Sequence, residues 1–290
     1  MYKLHDWIKL DKLTNTWLSQ IPEAVPLLEQ HPDKIIWCSL SQNPGAIHLL
    51  EKNIDKISFF YLSMNPAAIH LFEKNIDKVN WFNLSKNPGV ISILEENLDK
   101  VNWNTLSMNP AAIHLLEKNI DKINWVNLSM NPAATHLLEQ NQDKIDWYYV
   151  SMNPGAIHLL EQNPDKIEWV CLSKNPAAIH LLEQKPDKIA WFNLSKNSAA
   201  VHMLEKNPDK IVWDSLSFNT GAVHLLEKNQ DKIYWYEISR NKSIFVLDYE
   251  HIKKRCCIYK EELIQNACHP LRIEKILLQG INLDGLENYI

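Results

Sequence analysis

Along residues 65–86 the apolar positions fall into two short clusters. In Asn65-Pro66-Ala67-Ala68-Ile69-His70-Leu71-Phe72-Glu73-Lys74, a 3.6-residue wheel puts Ala68, Ile69, Leu71 and Phe72 on one arc and His70, Glu73 and Lys74 on the other. This predicts a short amphipathic helix. Asn65 is its N-cap, Pro66 takes the first helical position, and Asn75 closes it in the left-handed conformation that Asn tolerates. In the second cluster, Val79 lies nearly opposite Trp81 and Leu84. That pattern suits a short helix, or a 3₁₀ turn, wedged between neighbours on two sides. An early Asp, here Asp77, favours a helix start electrostatically. No segment alternates with period two, so strands are not expected.

The same pattern returns every 22 residues. Asn43, Asn65, Asn87 and onward to Asn241 keep this step, as do Asp33, Asp55, Asp77 and onward to Asp231, each followed by Lys. Ser19, Ser41 and onward to Ser239 share the phase. A worn copy begins at Asp11-Lys12-Leu13, with Ile21-Pro22 where later copies read Asn-Pro. Helices this short are not stable alone in water, so each must be covered by the next copy. The expected fold is all-α: an elongated α-solenoid, or superhelix, of about ten 22-residue two-helix repeats with helical caps. Residues 1–18 are expected to form an N-terminal cap, 19–241 the solenoid and 242–290 a helical C-terminal cap. Packed helices ~8–10 Å apart would carry ten repeats over roughly 100 Å along the curve.

Composition sharpens this picture. Only 6 of the 290 residues are Gly, which argues against Gly-rich nucleotide loops and turn-rich β folds, while 11 Trp call for a structural reason. A ladder from Trp37 to Trp235, with Phe59 in one copy, supplies it as interlocking core. The chain has 30 basic and 35 acidic residues, a formal net charge of −5, so it lacks the basic footprint of a nucleic-acid binder. Five scattered Cys, no signal-peptide pattern and no apolar run near the ~20 residues of a membrane span suggest an intracellular protein that is not secreted.

The unit Leu-Ser-x-Asn-Pro-x-Ala-Ile-x-Leu-Leu-Glu-x-Asn-Pro-Asp-Lys-Ile-x-Trp resembles the short tandem repeats of uncharacterised proteins in mimivirus-like giant DNA viruses. The closing His269-Pro270-x-Arg272-Ile273-x-Lys275-Ile276-Leu277 also looks like the tail of those proteins. The resemblance spans about residues 11–280. It implies a repeat protein of the host cytoplasm or virus factory, and it carries no activity.

Several residue sets carry candidate chemistry. His48, His70, His114, His136, His158, His180, His202 and His224 form a ladder, each three residues before a Glu of the same helix face. One His and one Glu per repeat do not close a metal site, so surface hydrogen bonding is expected. His251, Cys256, Cys257, Cys268 and His269 lack the CxxC spacing of a zinc knuckle. The Asp-Lys pairs read as helix-start carboxylates with solvated lysines. Ser58, Asn80, Asn102, Asn124, Asp146 and Glu168 vary between copies as base-reading positions would. No GxSxG, HExxH, P-loop or GxGxxG occurs, and residues repeated ten times are building elements. No enzyme, cofactor, metal or small-molecule substrate is expected.

What varies on this constant frame lies just after each Trp and just before each Asn. Phe60, Tyr61, Phe82, Asn104, Tyr148, Tyr149, Asp214 and Tyr236 are the candidate binding residues, with Met64 and its counterparts beside them. The expected function is a non-catalytic protein–protein interaction scaffold or adaptor. An RNA- or other nucleic-acid-binding solenoid and a structural virion component are the alternatives.

Overall fold

The computed structural model describes residues 2–267 and 269–278. It divides into two compact units, Leu4–Phe245 and a smaller one made of residues 1–3 and 246–290. In the smaller unit the described helices are Tyr249–Ala267 and Pro270–Leu278. Two three-residue strands, β1 (Tyr2–Leu4) and β2 (Phe245–Leu247), pair with each other. Among the described residues these are the strands, and the regular elements are otherwise helices. Cys268 and residues 279–290 of the expected helical cap lie outside the described residues.

The large unit is an all-α solenoid with the 22-residue period. In most copies each helix is entered through a 3₁₀ turn. Asn109 leads into the turn Pro110–Ala112 and the helix Ile113–Glu117, then the turn Ile120–Lys122 leads into the helix Trp125–Leu128. We call these the His helix and the Trp helix. The His helix buries the arc expected of it: Ala112, Leu115 and Leu116 are inside while Glu117 and Lys118 are exposed. The closing Asn does not turn left-handed. Asn97 has φ −131° and Asn119 φ −137°, and Asn119 instead returns its side-chain amide to the Leu115 carbonyl at 2.9 Å. That bond satisfies one carbonyl which the helix end leaves open.

Two buried polar residues join each copy to the one before. The Asn131 amide donates to the carbonyls of Ser107 and Asn109, both at 3.0 Å, while its Oδ1 accepts the Ala133 amide at 3.1 Å. All ten Asn from Asn43 to Asn241 are buried and make this set. Ser129, also buried, donates to the Trp125 carbonyl at 2.8 Å and accepts the amide of Asp146 at 3.0 Å. An N-cap has thus become a staple between repeats. Buried backbone groups demand partners, and a side chain with two donors and an acceptor serves three of them at once. Close approach also fixes one backbone position. A Cβ on Gly155 would overlap the Pro132 carbonyl oxygen of the preceding copy.

The Trp ladder is not core. Leu40, Leu62, Leu84 and their counterparts are fully buried, but each Trp of the ladder is only partly so. The exposed ring face is covered by the Lys of the next Asp-Lys pair: Lys122 Nζ lies 4.5 Å from the Trp103 ring centre, Lys144 4.9 Å from Trp125 and Lys232 4.5 Å from Trp213. An ammonium over an indole face is electrostatically favourable. In three copies with Pro before the Asp, the Lys lies beside its own carboxylate instead: Lys166 by Asp165 at 3.6 Å, Lys188 by Asp187 at 3.9 Å and Lys210 by Asp209 at 3.6 Å.

The run closes on itself. Each Ser hydroxyl accepts an amide 17 residues ahead, and Ser239 finds that partner at Thr14, the equivalent position of the first copy, at 2.9 Å. Lys12 covers Trp235 at 4.9 Å, as Lys122 covers Trp103. The His5 amide donates to the Ile244 carbonyl at 3.0 Å. The junction of last copy to first therefore keeps the register of every internal junction. The length expected of an elongated superhelix is taken up around a closed circuit of eleven copies, from Ser19 to Ser239. The physical reason is that an open solenoid leaves an apolar face at each end for a cap to cover, and here the two faces cover each other. Neighbouring copies approach most closely at their Trp helices and at their Asn-Pro turns. In a closed circuit the closest rows form the inner side.

Candidate interaction face

The variable residues sit on the Trp helices, and their geometry separates two rows. The residue after each Trp is exposed to solvent: Phe60 is 50% exposed, Phe82 48%, Tyr148 49%, Phe192 54% and Tyr236 47%. Asn104, Val126, Val170 and Asp214 are exposed in the same row. Of the eight candidate residues, six therefore form one continuous row. Tyr61 and Tyr149 belong to the second row, and each packs edge-on against its neighbour: Phe60–Tyr61 and Tyr148–Tyr149 have ring centres 5.2 Å apart.

Asn83, Thr105, Cys171, Asn193 and Ser215 of the second row are buried. The Asn83 amide donates to the Phe60 carbonyl at 2.9 Å, the Thr105 hydroxyl to the Phe82 carbonyl at 2.9 Å, and the Asn193 amide to the Val170 carbonyl. These bonds tie the backbone beneath one exposed side chain to the next copy. Cys171 stands in this row, and burial pushes its thiol pKa up, with the Tyr148 hydroxyl as a neighbour that counteracts it. A buried thiol with less thiolate reacts slowly. Iodoacetamide labelling of Cys171 is expected to lag that of exposed Cys38 by on the order of tenfold. Peptide mass spectrometry after a short pulse measures this, and equal rates would contradict the assigned burial.

The positions before the Trp, read as base-reading candidates, have another use in four copies. Asn80, Asn102 and Asn124 accept the amide three residues on, at 3.0, 3.1 and 2.9 Å, and Asp146 accepts the Tyr148 amide at 2.9 Å. They cap the Trp helices. Ser58 and Glu168 make no such bond.

The position before each Asn borders the exposed row. Lys86 and Lys196 each hold their Nζ 4.6 Å from the ring centres of Phe82 and Phe192. These two cations were not among the candidate residues. Their i, i+4 spacing from an aromatic on a short helix is the signal that marks them. The face is thus a row of exposed aromatic and aliphatic side chains, some of them under a lysine, on a backbone tied from copy to copy.

The His ladder pairs differently from its sequence spacing. His114 Nε2 lies 2.7 Å from Glu95 Oε1 and His224 2.8 Å from Glu205, 19 residues back in the preceding copy rather than three ahead in the same helix. The other six His of the ladder do the same. All are half-exposed junction contacts. Among the described residues no three His, Cys, Asp or Glu side chains gather around a possible metal position. No helix among them is long and apolar enough to cross a membrane. No family model, curated protein or solved structure matches the chain.

Proposed function

We propose that the chain is a non-catalytic scaffold that binds another protein along the exposed row of the Trp helices. The observation that carries this reading is the row itself. Phe60, Phe82, Tyr148, Phe192 and Tyr236 stand about half exposed at equivalent positions of their copies, so that large aromatic groups recur along one row. Aromatic residues are enriched at protein interfaces because one rigid side chain contributes much contact area. Nothing in the packing beneath needs them, since the same row holds Asn104 and Asp214 in other copies. Nucleic acid is less favoured. The Trp faces that bases would stack on are occupied by lysines in several copies, and each of those lysines follows an Asp. The resemblance of its repeat unit to those of giant-virus proteins is what supports a role inside an infected cell.

The test compares the natural chain with Phe60→Ser/Phe82→Ser/Tyr148→Ser in a tagged pull-down treated with nuclease. Exposed positions change stability by roughly ±0.5 kcal/mol or less each, so both proteins should melt alike. The expected result is a stoichiometric protein retained by the natural chain and lost by the variant. Retention of the same protein by both would remove the row from the interface. Nucleic acid retained in place of protein would favour the second reading.

A further inference from the structure

We propose that the seam between the last and first copies is an interaction surface for a second copy of this chain, two chains exchanging ends to close a common circuit. Every seam contact joins residues from opposite ends: Ser239 with Thr14, Trp235 with Lys12, and the Arg240 guanidinium 4.5 Å from the Trp17 ring centre. None of these contacts requires both ends to belong to one chain. Such a head-to-tail interface closes equally within one molecule or between two, which is the logic of domain swapping.

The seam lacks ties that every internal junction has, while it gains the His5–Ile244 bond and the pairing of β1 with β2. Ile21 replaces the Asn that staples every other junction, so neither of its two amide hydrogen bonds is made. Glu23 stands where the other copies carry Gly, Ala or Ser, and its Oε2 is buried without a partner. Beside them Trp17, Pro22, Thr220 and Lys242 line a groove of about 400 Å³. The peptide chain itself crosses every internal junction but not this one. Local opening that breaks no peptide bond and parts the circuit is open to this joint alone, between Ser239 and Thr14. Opening bares Leu13, Leu18 and Ile21 at one end and Ile238 and Ile244 at the other, all buried in the closed form. Exposed apolar surface favours recapture, and the surface that fits each end is the opposite end of this same sequence. In dilute protein the chain's own end wins through its effective concentration, and at higher concentration a second chain competes.

Thr14→Cys/Ser239→Cys is prepared with natural and with ¹⁵N isotope. Equal amounts are unfolded, refolded together over a range of protein concentrations, oxidised and digested. The expected result is disulfide-linked peptides joining positions 14 and 239 with mixed labels. Their share should rise with concentration toward the one-half that free exchange gives. Native mass spectrometry of the unsubstituted chain, co-refolded in the same way, should show a two-chain species of mixed label, and this decides the question where the Cys variant does not fold. Same-label links alone at every concentration, with the unsubstituted protein remaining single-chain, would overturn the proposal.

Discussion

Asn131→Ala is expected to lower stability by about 3–5 kcal/mol, because two carbonyls and one amide in a buried junction lose their partner together. The matched control is Asn124→Ala in the same region. Asn124 caps a Trp helix through one bond to the Asn127 amide, and its loss is expected to cost about 1 kcal/mol. Urea denaturation followed by circular dichroism ranks the two. Equal losses would mean that the Asn-Pro residue is a local cap only, and that the repeats are held by apolar packing alone.

The second large effect is expected at Leu128→Ala, about 2–5 kcal/mol from lost burial and the cavity left behind. Leu128 is fully buried at the end of its Trp helix, while Val126, two residues earlier, is 45% exposed. Val126→Ala should change stability by roughly 0.5 kcal/mol or less. The same denaturation series measures both. A Val126 effect as large as that of Leu128 would place the exposed row inside the fold and remove it as an interaction face.

The repeat, its period and its helical halves are legible in the sequence because they rest on local physics. The arc formed by Ala68, Ile69, Leu71 and Phe72 is visible on a wheel, and the structure buries it. What lies between copies is not legible in that way. Asn131 reads as an N-cap from its neighbours, yet its strongest partners are 22 and 24 residues back. His114 sits three residues before Glu117 but pairs with Glu95. The Trp were read as core from their size, whereas the lysines that cover rings such as Trp103 and Trp125 lie 19 residues ahead, at a step that helix periodicity does not mark. Closure left one trace in the sequence. Asp11, Lys12 and Ser19 keep their repeat identities in the worn first copy, where a solvated cap would not need them. They are kept because Trp235, Ser239 and their neighbours lie against that copy. In the candidate face the variable row was found from contrast between copies, since Phe60, Phe82 and Asn104 differ where the frame does not. Lys86 and Lys196 were missed because, among the Met and Gln of their row, they look like ordinary surface charges.

Closure is the central claim, and the distance across the seam tests it most directly. Thr16 and Tyr236 are both exposed and occupy the same row of the first and last copies, as Asn104 and Val126 do in two adjacent internal copies. Spin labels placed by Thr16→Cys/Tyr236→Cys and by Asn104→Cys/Val126→Cys, the natural cysteines being replaced by Ser, report these distances by pulsed electron–electron resonance. A closed circuit predicts closely similar distributions for the two pairs, each that of one repeat step with packed helices ~8–10 Å apart. An open solenoid puts Thr16 and Tyr236 at opposite ends of the run, roughly 100 Å along its curve. A distribution for that pair well beyond the internal one would contradict the closed fold.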